Sequence, residues 1–190
     1  YAVAAQSGHA IQAKKSTRIE DGIFALTAVK DGIHVENPDD TAEGYLYVAG
    51  GDFTVTADGD GFSAATLVQV SGGSGKLTCG GGADNGETHN DGFGGGFGGW
   101  GGSWNNSTTT DEDTVSAKGF KGGTALICTD GNWSLDTSDD GLHSNGDVTV
   151  SGGTLTIATG DDGIHADGTT TIQGGSVTVT RSYEGIEGNA

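Results

Sequence analysis

A pair of glycines ten residues apart recurs along this chain, and in the C-terminal half the pair itself returns at a constant step: Gly131 with Gly141, Gly153 with Gly163, Gly175 with Gly185. The same pairing stands earlier as Gly22 with Gly32 and Gly51 with Gly61. Glycine at fixed intervals punctuates short strands with tight turns, whereas it weakens a helix. With 38 Gly, one Pro and 33% hydrophobic residues, a large helical core is excluded.

The residues two and four past the first glycine of each pair are apolar: Phe24 and Leu26, Phe53 and Val55, Trp133 and Leu135, Leu155 and Ile157, Val177 and Val179. That is strand alternation. A large apolar residue follows the second glycine (Ile33, Phe62, Phe120, Leu142, Ile164, Ile186), and another alternating pair, such as Val68 and Val70 or Val148 and Val150, precedes the next turn. Three short strands in each unit cannot bury their apolar faces alone. Stacked on copies of themselves they can, and backbone groups then pair between rungs. The reading is an all-β single-stranded parallel β-helix, one domain over 1–190, with about six 22-residue coils and a partial one before Asp21. Val148, Val150, Leu155, Ile157 and Ile164 are predicted to face inward.

Two insertions interrupt the period. The step from Gly22 to Gly51 is longer than the later ones, which places seven extra residues around Asn37 to Glu43. A much longer excess, about 83–118, displaces the second glycine of the third coil to Gly119 and carries Phe93, Phe97, Trp100 and Trp104 among many glycines.

The chain carries 26 acidic against 8 basic residues, a net charge of -18, which argues against nucleic acid as a partner. No apolar run reaches the roughly 20 residues of a membrane-spanning helix. Nineteen of the acids are Asp, the short carboxylate suited to turns and to calcium. Cys79 and Cys128 sit inside alternating strand patterns, and small buried residues are the favoured reading over a disulfide. The opening at Tyr1, in mid-pattern and without an apolar leader, is expected of a processed or partial chain, with an extracellular or cell-surface location inferred.

Immediately before the second glycine, successive coils place Asp31, Asp60, Asp140, Asp162 and Glu184, with Lys118 as the exception; Asp58, Asp139 and Asp161 lie beside them. Rungs about 4.8 Å apart would set these carboxylates against one another. Calcium is the expected compensation, since turn carboxylates and carbonyls supply its oxygen ligands; a solvated acidic edge is the alternative. Two residues past the glycine, His34, Ser63, Lys121, His143, His165 and Glu187 form a polar strip. His143 and His165, on adjacent rungs, suit a sugar groove, a softer metal or plain surface. The loop aromatics Phe93, Phe97, Trp100 and Trp104 suit stacking on pyranose rings, or else fold back over the solenoid. Outward Thr54, Thr56, Thr78, Thr156, Thr178 and Thr180 are good strand formers before they are anything else.

The segments TSDDGLHSNGDVTVSGGTLTIATGDDGIHADGTTTIQGGSVTV and SYEGIEG, with GG-FTVTADGDG-F and SAKGFKGGTALI earlier, closely resemble a bacterial family of secreted carbohydrate-binding domains that includes a clostridial cellulose- and polygalacturonate-binding protein. The resemblance runs over nearly the whole chain. It implies a right-handed β-helix like that of polysaccharide lyases, calcium at aspartate-rich turns, binding without catalysis, and ends that are incomplete relative to the family.

The sequence therefore predicts a non-catalytic, calcium-binding extracellular protein for cellulose or acidic polysaccharides such as polygalacturonate. A lyase needs a base beside the metal, and Lys118, Lys121 and Arg181 do not recur within the acidic columns. The alternative is structural, a filament subunit stacking end to end through open strand edges.

Overall fold

The computed structural model describes residues 1–86 and 117–189. Among these the protein is almost entirely β, built from two parallel sheets, one of eleven strands and one of six. The six-stranded sheet is the simpler. Ile11–Ala13, Ile33–Val35, Phe62–Ala64, Phe120–Gly122, Leu142–Ser144 and Ile164–Ala166 lie side by side in chain order, every pair parallel and in register. Phe120 stands opposite Leu142 and Leu142 opposite Ile164, so neighbours are one repeat apart, as the glycine period requires.

The eleven-stranded sheet supplies two further sides of this solenoid-like stack. On one, Ile23–Ala28, Asp52–Ala57, the C-terminal half of Leu67–Cys79, that of Ala125–Thr137, Thr154–Thr159 and Ser176–Arg181 pair in succession. On the other run Ser16–Ile19, Tyr45–Val48, the N-terminal halves of the same two long strands, Asp147–Val150 and Thr170–Ile172. The first glycine of each unit turns the chain between these sides with positive φ, as at Gly153 (84°).

Alternation does what the sequence demands of it. Asp52–Ala57 buries Phe53, Val55 and Ala57 and exposes Asp52, Thr54 and Thr56. Val148, Val150, Leu155, Ile157 and Ile164, all expected inside, are buried. The core is aromatic at its centre: Phe24 stacks on Phe53 at 4.7 Å, Phe62 on Phe120 at 5.1 Å, and Trp133 meets Phe53, Phe62 and Phe120 at 5.4 to 5.6 Å. Cys79 and Cys128 are free thiols in this core, and burial pushes Cys128 up to about 12.

The second glycine of each pair answers to crowding between coils. A Cβ on Gly141 would stand 2.6 Å from the Gly163 carbonyl oxygen, closer than real side chains approach a backbone. The seven-residue excess also lies where the period puts it. Ile33 pairs with Phe62 across the whole of the excess, while Tyr45, just beyond it, pairs with Leu67 at the ordinary repeat. Of the longer excess, Phe93, Phe97, Trp100 and Trp104 lie outside the described residues.

Candidate functional site

The turn between the first strand of a unit and its strand in the six-stranded sheet carries the residue before the second glycine, and in-register stacking converts that position into a column. Asp31, Asp60, Lys118, Asp140 and Asp162 follow one another, with Asp60, Lys118, Asp140 and Asp162 buried. The aspartates are held by hydrogen bonds in two directions. Oδ1 accepts the backbone N–H of the next member: Asp60 to Asp31 at 2.9 Å, Lys118 to Asp60 at 2.9 Å, Asp162 to Asp140 at 3.1 Å. Oδ2 faces the side chain three residues on. His34 Nδ1 lies 2.6 Å from Asp31, His143 Nδ1 2.8 Å from Asp140, and His165 Nδ1 3.0 Å from Asp162.

The repulsion expected between stacked carboxylates is relieved inside the column itself. Lys118 projects its ammonium onto Asp139 and lies 3.4 Å from Asp140, while Lys121 lies 3.4 Å from Asp60. Burial drives the Asp140 carboxyl up, but His143, Lys118 and the Asp162 N–H outweigh it, and the group sits below the usual carboxylate range. Asp31 is lowered in the same way, its burial outweighed by His34 and the Asp60 N–H. Burial wins at Asp60, which is raised despite Lys121.

The Asp162 rung is different. Burial, opposed by the His165 hydrogen bond, raises Asp162 to about 6, and its Oδ1 has no hydrogen-bond partner among the described residues. His165 Nδ1 is shared between Asp162 and Glu187, which lies 2.8 Å away, while its Nε2 faces Asp167 at 3.2 Å. Against the burial that lowers it, these carboxylates raise His165 to about 9. Asp162, His165 and Glu187 each offer a donor atom within 4.8 Å of the others, and so do Asp139, Asp140 and Asp161. Both groups line a cavity of about 410 Å3 with Lys118, His143, Tyr183 and Glu184. His143 and His165 stack on adjacent rungs at 5.1 Å, as their spacing predicts.

Of the sequence-derived metal candidates, Asp139, Asp140, Asp161 and Asp162 come together here. Glu184 lines the cavity but is exposed, Asp58 is exposed and outside it, and Asp60 is turned to Lys121. Asp31 belongs to a separate group with His9 and His34 at the N-terminal side. There the two imidazoles stack at 4.1 Å. His9, which no glycine pair marks in the sequence, stands one repeat back from Asp31. Lys118 breaks the acidic pattern in the sequence, yet its buried side chain is a member of the column.

Comparison with curated proteins and with solved structures gives no match. The family described as carbohydrate-binding domain-containing protein matches residues 1–163. That match spans most of the stacked coils, the acidic column and both sheets, and the chain therefore belongs to this carbohydrate-binding family, as a binding protein rather than an enzyme.

Proposed function

We propose that the protein is an extracellular polysaccharide-binding module whose cavity holds calcium and, through it, the carboxylates of an acidic glycan such as polygalacturonate. The observation that carries this reading is the convergence of Asp139, Asp140 and Asp161, an all-oxygen donor set within 4.8 Å, in an open cavity of a carbohydrate-binding chain. The donor chemistry suits a hard cation, which takes six to eight oxygens and accepts water or a ligand carboxylate in the remainder. Asp162, whose buried Oδ1 has no hydrogen-bond partner among the described residues, stands next to Asp161 in the chain to extend the set. A chain of net charge -18 needs such a bridge to hold a polyanion.

Residues of the cavity divide the work. Asp139 and Asp161, both half-buried, are the ligands nearer to solvent, whereas Asp140 is buried and serves the Asp162 N–H and His143. His165 adds positive charge that a uronate would meet on approach. The architecture we propose for the whole chain is a right-handed parallel β-helix of about six coils, with an insertion at about 83–118. Phe93, Phe97, Trp100 and Trp104 remain candidates for contacts to a neutral glycan such as cellulose.

Calorimetric titration with polygalacturonate tests the reading. Binding is expected in millimolar calcium, to vanish in chelator, and to vanish in Asp139→Asn with Asp161→Asn while the fold persists. Equal affinity with and without calcium would overturn it.

A further inference from the structure

At its N-terminal side the acidic column changes chemistry. His9 stands one repeat before Asp31 and takes the place of a column aspartate: the Asp31 backbone N–H donates to His9 Nδ1 at 3.2 Å, as the Asp60 N–H donates to Asp31 Oδ1 at 2.9 Å. The His9 ring stacks on His34 with centroids at 4.1 Å, 16° from parallel. Asp31 therefore meets two imidazoles from two coils, its Oδ2 lying 3.3 Å from His9 Nδ1 and 2.6 Å from His34 Nδ1. The three residues each offer a donor atom within 4.8 Å of the others, and all three are half-buried. None of them lines the cavity of Asp139, Asp140 and Asp161.

Two contacts in this group call for a cation. An imidazole nitrogen that accepts an N–H presents its lone pair, yet the same His9 Nδ1 faces the Asp31 carboxylate at 3.3 Å, so two acceptors stand opposite each other with no proton between them. Burial and the adjacent His34 push His9 below its ordinary value, outweighing Asp31, which keeps that nitrogen free of a proton. The second contact is at the far side of the other ring, where His34 Nε2 lies 3.1 Å from Glu36. A ring N–H held by a carboxylate at one nitrogen is the arrangement that orients a histidine toward a metal at the other.

We propose that His9, Asp31 and His34 bind a borderline divalent ion such as zinc, at a site apart from the calcium cavity and independent of the glycan reading. Two imidazole nitrogens and one carboxylate oxygen suit zinc, whereas calcium takes oxygen throughout. Bonds of about 2.0 to 2.1 Å in a tetrahedron set neighbouring ligands about 3.3 Å apart, the spacing that His9 and Asp31 already have. His34 reaches the same spacing by moving less than an ångström from Asp31. Its ring tilts out of the stack as it does so, because two imidazoles ligating one ion approach it from different directions. The proton between His34 and Asp31 leaves to solvent as the ion enters, and water fills the fourth position. The ion then ties the coil of Ile11–Ala13 to that of Ile33–Val35, beyond the pairing of those strands.

Calorimetric titration of the full chain with zinc chloride, in a background of millimolar calcium to fill any all-oxygen site, tests this. Zinc is expected to bind and to raise the melting temperature. His9→Asn keeps an acceptor for the Asp31 N–H, and both it and His34→Gln are expected to weaken zinc by at least tenfold while melting in chelator as the wild type does. Glu36→Gln changes an exposed residue outside the donor set, leaves the column undisturbed, and is expected to weaken zinc about tenfold. A wild-type chain that takes up no zinc overturns the site. So does unchanged zinc affinity in the His9, His34 and Glu36 variants, or its loss only in His165→Gln, which would put the ion in the cavity. Displacement of zinc by calcium at comparable concentration overturns the choice of ion. Calcium-dependent polygalacturonate binding is expected to survive all three variants, so its absence from the wild type removes the calcium reading and leaves this site standing.

Discussion

The backbone N–H of Asp162 donates to Oδ1 of Asp140 at 3.1 Å, across 22 residues of chain. One carboxylate therefore ties its own coil to the next at the turn, where sheet pairing has stopped, and its other oxygen orients His143. A buried carboxylate with a main-chain donor on one side and an imidazole on the other is compensated without leaving the protein.

Asp140→Ala removes both partners' acceptor and leaves the Asp162 N–H, His143 and Lys118 facing a gap. The expected loss is about 2 to 4 kcal/mol of stability in urea unfolding. Asp140→Asn keeps an oxygen for the Asp162 N–H and is expected to lose less than half of that.

Lys118→Met places an apolar side chain of similar length between Asp60 and Asp140. The native ammonium holds Asp139 and Asp140. Without it the variant is expected to melt lower in chelator but to gain more from calcium than the wild type, because the cation inherits the two carboxylates. Differential scanning with and without millimolar calcium reads both effects.

Calcium itself is expected to raise the melting temperature of the wild type by mass action, with about 2.7 kcal/mol of stabilisation at a hundredfold excess over the dissociation constant. Asp139→Asn with Asp161→Asn is expected to abolish that rise. A rise that survives the double substitution would place the ion elsewhere.

Acid–base linkage gives a further prediction, for protein held in chelator. His165 titrates at about 9 in the folded chain against 6.5 when free of partners, so the folded state holds its proton more tightly. Its stabilisation is complete below about pH 6.5 and lost as pH rises through about 9. The raised Asp162 acts in the same direction at lower pH, its contribution present below its ordinary 3.8 and gone above about 6. Asp31 and Asp140 act oppositely, and their contribution is lost as pH falls through their depressed values. His165→Gln is expected to flatten the stability profile between about pH 6.5 and 9; a profile as steep as that of the wild type would show that Glu187 and Asp167 do not act through this ring.

Much of the fold is legible in the glycines and in alternation, because parallel in-register stacking makes position in the sequence equivalent to position in space. Phe62, Phe120, Leu142 and Ile164 are one column in both. The acidic column was legible for the same reason, and so was the stacking of His143 on His165. What periodicity could not supply was direction within a rung. It places His143 outward but does not say that its ring turns back three residues to Asp140. Nor does it say that Lys118, a charge of the wrong sign for the pattern, would be buried in the column. His9 is hidden because its coil lacks the glycine pair that marks most of the others.

The aromatic residues of the interior are not spread evenly along the stack. Phe24, Phe53, Phe62, Phe120 and Trp133 interlock across successive coils. Beyond them the core continues with Leu142, Leu155, Ile157 and Ile164, and then with the half-exposed Val177 and Val179. In a stack whose coils touch only their neighbours, opening proceeds from whichever end is held least. Among the described coils, those packed through the ring cluster are thus expected to open later than the aliphatic coils that follow them. The cavity with Glu184 and Glu187 in its wall lies among these aliphatic coils, so a ligand held there would clasp the part of the stack that the ring cluster does not reach.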